Sequence, residues 1–201
     1  MTNFEAFFNG AAPSDWDPLV KMAVLHHQFE SIHPFYDGNG RTGRILNLLY
    51  LVKEGLLDTP VLYLSRYINH HKAEYYRLLQ KVHEENAWEP WVLFMLEAVE
   101  QTSLHTSKII SGIKALMLHH KQRIRSELPK IYSQDLLNVL FRHPYTKIEF
   151  VVKELGIGRV TAGRYLDELV SAGILNKRKL WRDNYYINVQ LYDLLANVNS
   201  L

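Results

Sequence analysis

Cysteine is absent from this 201-residue chain. A disulfide framework, a thiolate-held zinc and an iron–sulfur cluster are therefore excluded, and the usage fits a reducing compartment. Charge interrupts every apolar stretch well before the ~20 residues a membrane-spanning helix needs. The first fifteen residues hold no Lys or Arg and no apolar run, so no secretory leader is legible there. The expectation is a cytoplasmic protein without a membrane partner. Repeats and low-complexity tracts are also missing. With 47% hydrophobic and 22% charged residues, neither a disordered nor a fibrous chain is expected. Net charge is only +2, with a mild positive excess beyond residue 129. That excess permits an acidic partner for the C-terminal part without requiring one.

A mass of 23.5 kDa suits one or two domains. Residues 1–129 contain no convincing run of alternating strand residues and read as helical. Asp17-Pro18 has the form of an N-cap followed by proline at the first helical position, opening a helix from Leu19 to Ile32. His33-Pro34 ends it. An apolar helix follows over Ile45–Lys53 and a further one from about Ile68 to Glu85. One or two long helices then run to Pro129, where the ladder cannot continue. Met1–Gly10 reads as a short helix, and Trp88 and Trp91 as core aromatics. The doublets His26-His27, His70-His71 and His119-His120 lack chelating geometry, since neighbours on a helix point about 100° apart. One packed and one exposed ring is the expectation for each.

Residues 130–201 form a second expected domain. Helices are predicted over Ser133–Phe141, Ile148–Leu155 and Gly158–Ala172, the last with Val160, Leu166, Leu169 and Val170 inward. Two strands follow around Ile174-Leu175 and Tyr185–Ile187. This is the order of a winged helix-turn-helix. In a DNA-binding reading Arg159, Thr161 and Arg164 face the major groove, while the basic wing, with Lys177 and Lys179, contacts phosphate. The competing reading is a protein-docking or dimerising module, which leaves room for a homodimer.

The chemistry concentrates in His33-Pro34-Phe35-Tyr36-Asp37-Gly38-Asn39-Gly40-Arg41-Thr42-Gly43-Arg44. Glycines before a helix let successive backbone N–H groups converge into an anion nest. The helix N-terminus adds about half a positive charge. Arg41 and Arg44 share a face and can clamp outer phosphates. Asp37 offers a hard oxygen to Mg²⁺, and His33 can accept a proton near neutral pH. These are the parts for phosphoryl or nucleotidyl transfer.

The segment resembles the Fic-family signature, His-x-Phe-x-Asp/Glu-Gly-Asn-Gly-Arg-x-x-Arg, at every defined position. Flanking text from Asp17-Pro18-Leu19 to Gln28-Phe29-Glu30, and Leu62–Ser65 with Tyr75-Tyr76, is similar to the same family. The resemblance covers roughly residues 16–130. It implies a mainly α fold, a Fic-type helical bundle followed by the winged helix. It also implies an adenylyltransferase that moves AMP from ATP to a Ser, Thr or Tyr hydroxyl of a protein substrate, releasing pyrophosphate. Carried over by position, His33 is the base and Asp37 holds Mg²⁺. Gly38, Asn39 and Gly40 line the anion hole, Arg41 and Arg44 bind the outer phosphates, and Tyr76 packs on the nucleoside. Thr42 and Gly43, between the arginines, complete the expected ATP-binding stretch. The phosphate-transferring Doc branch resembles Fic but has a lysine where Gly40 stands, so Gly40 points to nucleotidyl transfer. A DNA-binding regulator with a nucleotide-sensing Fic core is the alternative. Fic enzymes commonly carry an inhibitory Ser/Thr-x-x-x-Glu-Gly/Asn helix, and that pattern does not occur in these residues. The resemblance therefore leads to the expectation of a C-terminal portion of a longer protein.

Overall fold

Asp17 and Pro18 start the first long helix as their chemistry dictates. The Asp17 carboxylate accepts the Leu19 N–H at 2.7 Å, and Pro18 supplies the fixed φ of a helix start. The structure, a computed structural model, describes residues 1–10 and 16–196. Two compact units divide the chain, Met1–Thr106 and Ser107–Leu201. The boundary falls within a helix rather than at Pro129.

In the first unit a short helix α1 (Thr2–Phe8) is followed by α2 (Pro18–Ile32) and α3 (Asn39–Lys53). α2 and α3 pack as a pair. Met22, Leu25 and Phe29 from α2 meet Tyr50 and Leu51 from α3 in a core that Phe4 of α1 also enters. The single helix expected up to Glu85 is two helices, α4 (Leu64–His70) and α5 (Lys72–Glu85), separated at His71. His71 leaves helical dihedrals at φ −110°, ψ 33°. α6 (Trp88–Glu127) is one helix of 40 residues. Its first turns bring Trp91 into the core, where the indole N–H donates to the Ala23 carbonyl at 2.9 Å. No described helix is long and apolar enough to cross a membrane.

The second unit has the winged-helix order. α7 (Gln134–Arg142) leads into a two-residue strand β1 (Tyr145–Thr146), then α8 (Ile148–Leu155) and α9 (Arg159–Ser171). The hairpin β2 (Asn176–Leu180) and β3 (Asp183–Ile187) follows, and α10 (Val189–Ala196) ends the described chain. All pairings are antiparallel in the order β1-β3-β2, with Tyr145 opposite Ile187 and Arg178 opposite Tyr185. Leu136, Leu140, Val151, Leu166 and Tyr186 form the core with Ile124 of α6.

Two expectations are corrected here. Val160 does not face inward but is 89% exposed. It sits one residue after the start of α9, and the buried stripe of that helix runs instead through Ala162, Leu166 and Leu169. His26 and His27 are both buried, although adjacent. The first lies towards α3 and α5, and the second reaches the Leu79 carbonyl at 3.2 Å. His70 and His71 are both exposed, and only His119-His120 follows the expected pattern of one ring out and one in.

Candidate active site

The turn between α2 and α3 builds the site from its own backbone. His33 caps α2 in the left-handed region, at φ 49°, ψ 57°. This turns the chain away from the helix and into Pro34. Gly38, at φ 87°, is the N-cap of α3, a conformation that suits glycine. Directly after Gly38, Asn39 is buried, and its side chain clamps the loop. Its Oδ1 accepts the Phe35 N–H at 2.9 Å, and its Nδ2 donates to the Phe35 carbonyl at 2.6 Å. The Asn39 amide is thus spent on shaping the turn. Any part it has in anion binding falls to its backbone N–H at the helix start.

His33 lies exposed beside this turn. Its Nδ1 is 3.3 Å from the Glu30 carbonyl. A carbonyl can only accept, so Nδ1 carries the hydrogen and Nε2 is left as the basic nitrogen. The loop faces a cleft of about 350 Å³, whose walls include His33, Asp37, Gly38, Gly40, Arg41 and Arg44. Tyr75 and Tyr76 of α5, with Asn69 and Lys72, close the opposite side. The exposed Tyr76 ring stands edge-on to Tyr75 at 5.3 Å, with the Lys72 ammonium 6.0 Å over its face.

The two arginines differ in setting. Arg41 is exposed and pairs with Asp37 at 3.1 Å. Arg44 is half-buried, and its Nε donates to the Ser65 hydroxyl at 2.7 Å. Ser65, at the start of α4, was not singled out as a site residue. Sequence offers little signal for it, because the bond spans 21 residues.

Thr42 and Gly43 are not among the residues that wall the cleft. Gly43 is buried on the opposite side of α3. A β-carbon there would lie 2.6 Å from the Glu30 Oε1 and 3.2 Å from the His26 ring. Helical periodicity explains the placement: residue 43 is about 100° round the helix from Arg44. Beneath it His26 Nε2 meets the Tyr75 hydroxyl at 2.9 Å, while His26 Nδ1 and Glu30 Oε1 are buried without partners. Burial holds His26 down at about 3, with the Arg44 charge adding to the shift. Burial also pushes the Glu30 carboxyl up, against the opposing fields of Arg44 and His33.

Asp37 meets one requirement of a Mg²⁺ site. Among the described residues no group of three or more His, Cys, Asp or Glu could hold a metal alone. A single exposed carboxylate on this cleft fits an ion that takes most of its oxygens from nucleotide and water.

In the winged helix Arg159 and Arg164 are exposed on α9, and Thr161 is half-buried. Arg164 lies 3.7 Å from Glu168. Lys179 is exposed on the wing. Lys177 is committed to Asp167 at 2.7 Å, with its ammonium over the Tyr186 ring, so it is not an uncommitted phosphate contact. Along the same face of α9, Asp167 and Glu168 line a groove together with Arg159 and Arg164. The surface is of mixed sign rather than a basic stripe.

Fold and site together define a helical protein with a glycine turn and a cleft at the start of α3, followed by a winged helix. Comparison with known proteins makes this specific. Residues 1–51 match the Fic/DOC family. Residues 116–191 match the family described as "Protein adenylyltransferase SoFic-like, C-terminal domain". The chain is thus similar to the Fic/DOC family at its start and to the SoFic-like C-terminal domain over residues 116–191. Curated relatives named "Protein adenylyltransferase Fic" from Aedes aegypti and Drosophila melanogaster are each 33% identical over 102 residues. Those residues are 51% of this chain and 19% of each relative, so the match spans about a fifth of their length. A solved Fic family protein from Desulfovibrio desulfuricans G20 is similar at 20% identity and a TM-score of 0.47, over 92% of this chain and 53% of that one.

Proposed function

We propose that the chain transfers AMP from ATP to a hydroxyl of a protein substrate. The observation that carries this reading is the 3.3 Å approach of His33 Nδ1 to the Glu30 carbonyl beside the nest, which favours the tautomer with Nδ1–H and leaves Nε2 as the base. The substrate hydroxyl gives its proton to Nε2 as its oxygen attacks the α-phosphorus. The bond from that phosphorus to the bridging oxygen breaks, and pyrophosphate leaves with the electron pair. Backbone N–H groups at the start of α3 and the two guanidinium groups face the charge that builds on the phosphates. Such fixed donors favour the transition state over bound ATP. Mg²⁺, held by Asp37 together with the nucleotide's phosphates, supplies further charge neutralisation when bound. Tyr76 offers a ring face for the base.

Gly40 supports nucleotidyl over phosphoryl transfer. The phosphate-transferring Doc branch, which resembles Fic, carries a lysine at this position, and a β-carbon here would already lie 3.1 Å from Arg44 Nη1. The relatives' printed name, protein adenylyltransferase, agrees with the reading. ATP labelled at the α-phosphate is the test, run beside ATP labelled at the γ-phosphate against a cell lysate. AMP transfer labels protein from the first only. Labelling from the γ-phosphate alone replaces the reading with phosphoryl transfer, and no labelling from either removes it.

A further inference from the structure

A guanidinium presents two edges that bind an anion through parallel N–H bonds: the side edge of Nε and Nη, and the end formed by both Nη groups. In Arg44 the side edge is already engaged, since Nε–H points at Ser65 Oγ at 2.7 Å. Ser65 is itself anchored. Leu64 and Ile68, on either side of it in α4, are buried in the core of the first unit. The flank of the guanidinium lies along the first turn of α3, close enough to Gly40 that a β-carbon there would meet Nη1 at 3.1 Å. Arg44 therefore has its side edge fixed by a hydroxyl on α4 and its flank against a bare Cα on α3. Only the two Nη groups remain for a ligand in the cleft.

We infer that Ser65 is a positioning residue that makes Arg44 meet the nucleotide end-on. It touches no substrate and acts through the arginine. Without its hydroxyl the Arg44 side chain keeps its charge and loses its orientation. The guanidinium can then rotate towards the half-buried Glu30 carboxylate, whose charge it already feels. The phosphate farthest from His33 loses most, because that is where Arg44 is placed. This inference rests on the proposed nucleotide orientation, yet its main readout is binding rather than transfer.

The test uses the full chain and calorimetry with Mg-ATP and Mg-ADP. Ser65→Ala should weaken ATP binding about 10-fold, the usual scale for a bond to a charged group, and ADP binding much less. Ser65→Thr, which keeps the hydroxyl, should restore ATP affinity. In an Arg44→Ala background, Ser65→Ala should change nothing further. In turnover the loss should fall mainly on KM. Unchanged ATP affinity in Ser65→Ala overturns the inference. So does an equal loss in the Arg44→Ala background, or a folded Ser65→Thr variant that fails to recover. Absence of AMP transfer by the wild-type chain removes the proposed activity while the binding series still decides Ser65. Absence of any ATP binding by the wild type overturns both.

Discussion

Asp37 and Arg41 face each other across the first turn of α3 at 3.1 Å, both largely exposed at 83% and 72%. The pair joins the residue suited to a metal ion with one suited to phosphate. Exposed pairs of this kind contribute little to stability, so in the proposed reaction the contact gives way at little cost to Mg²⁺ on Asp37 and phosphate on Arg41. Asp37→Asn should therefore leave the melting temperature unchanged and remove most of the Mg²⁺ dependence of ATP affinity. Titration of ATP with and without Mg²⁺ measures this. A variant with full Mg²⁺ dependence would show that the ion is held elsewhere.

His33 carries the proton transfer in the proposed reaction. Its side chain is exposed and bonds only to a backbone carbonyl, so His33→Ala should fold normally and bind ATP. Transfer should fall by about 10²–10⁴, the typical contribution of a general base. Single-turnover labelling at saturating ATP separates the two effects. Wild-type turnover in this variant would contradict the assignment.

Gly43 is where α3 packs closely on Glu30 and His26 of α2. Gly43→Ala places a methyl group 2.6 Å from Glu30 Oε1 and forces the helices apart or the carboxylate aside. Overpacking of this sort costs roughly 1–3 kcal/mol. Urea denaturation should show the loss. Unaltered stability would mean that Glu30 moves at little cost.

The pH dependence of stability follows from His26. Its folded value is about 3 against 6.5 unfolded, so it is neutral in both states above pH 6.5. As pH falls from 6.5 towards 3, only the unfolded chain gains the proton, and stability falls at up to about 1.4 kcal/mol per pH unit. His27 and His120, also lowered mainly by burial, act in the same direction. Glu30, raised by burial, acts oppositely: its contribution is full below 4.5 and is lost as pH rises through its folded value. Urea midpoints at pH 7, 6 and 5 should fall steadily, and His26→Gln should flatten the slope. A slope unchanged in that variant would place the acid sensitivity elsewhere.

Local chemistry made much of this protein legible in sequence. Asp17-Pro18 announces a helix start because cap and fixed φ act within three residues. The run from His33 to Arg44 reads as an anion site because its glycines, its helix start and its charges are contiguous. Residues 134–187 read as a winged helix because each element carries its own apolar period and its own turn residues. Tertiary packing decided the rest. Thr42 and Gly43 share the motif with Arg41 and Arg44, yet only the pairing of α2 with α3 shows which side of the helix meets the cleft. Val160 looks like a core residue until Ala162, Leu166 and Leu169 set the buried stripe of α9. Lys177 counts as a basic wing residue in sequence, and Asp167, ten positions earlier, claims it in space. The bond from Arg44 to Ser65 cannot be read from the sequence, although Ser65 lies in the flanking text that resembles the family. Neither residue type dictates the other, and the two meet only because Leu64 and Ile68 bury α4 against the same core that holds α3.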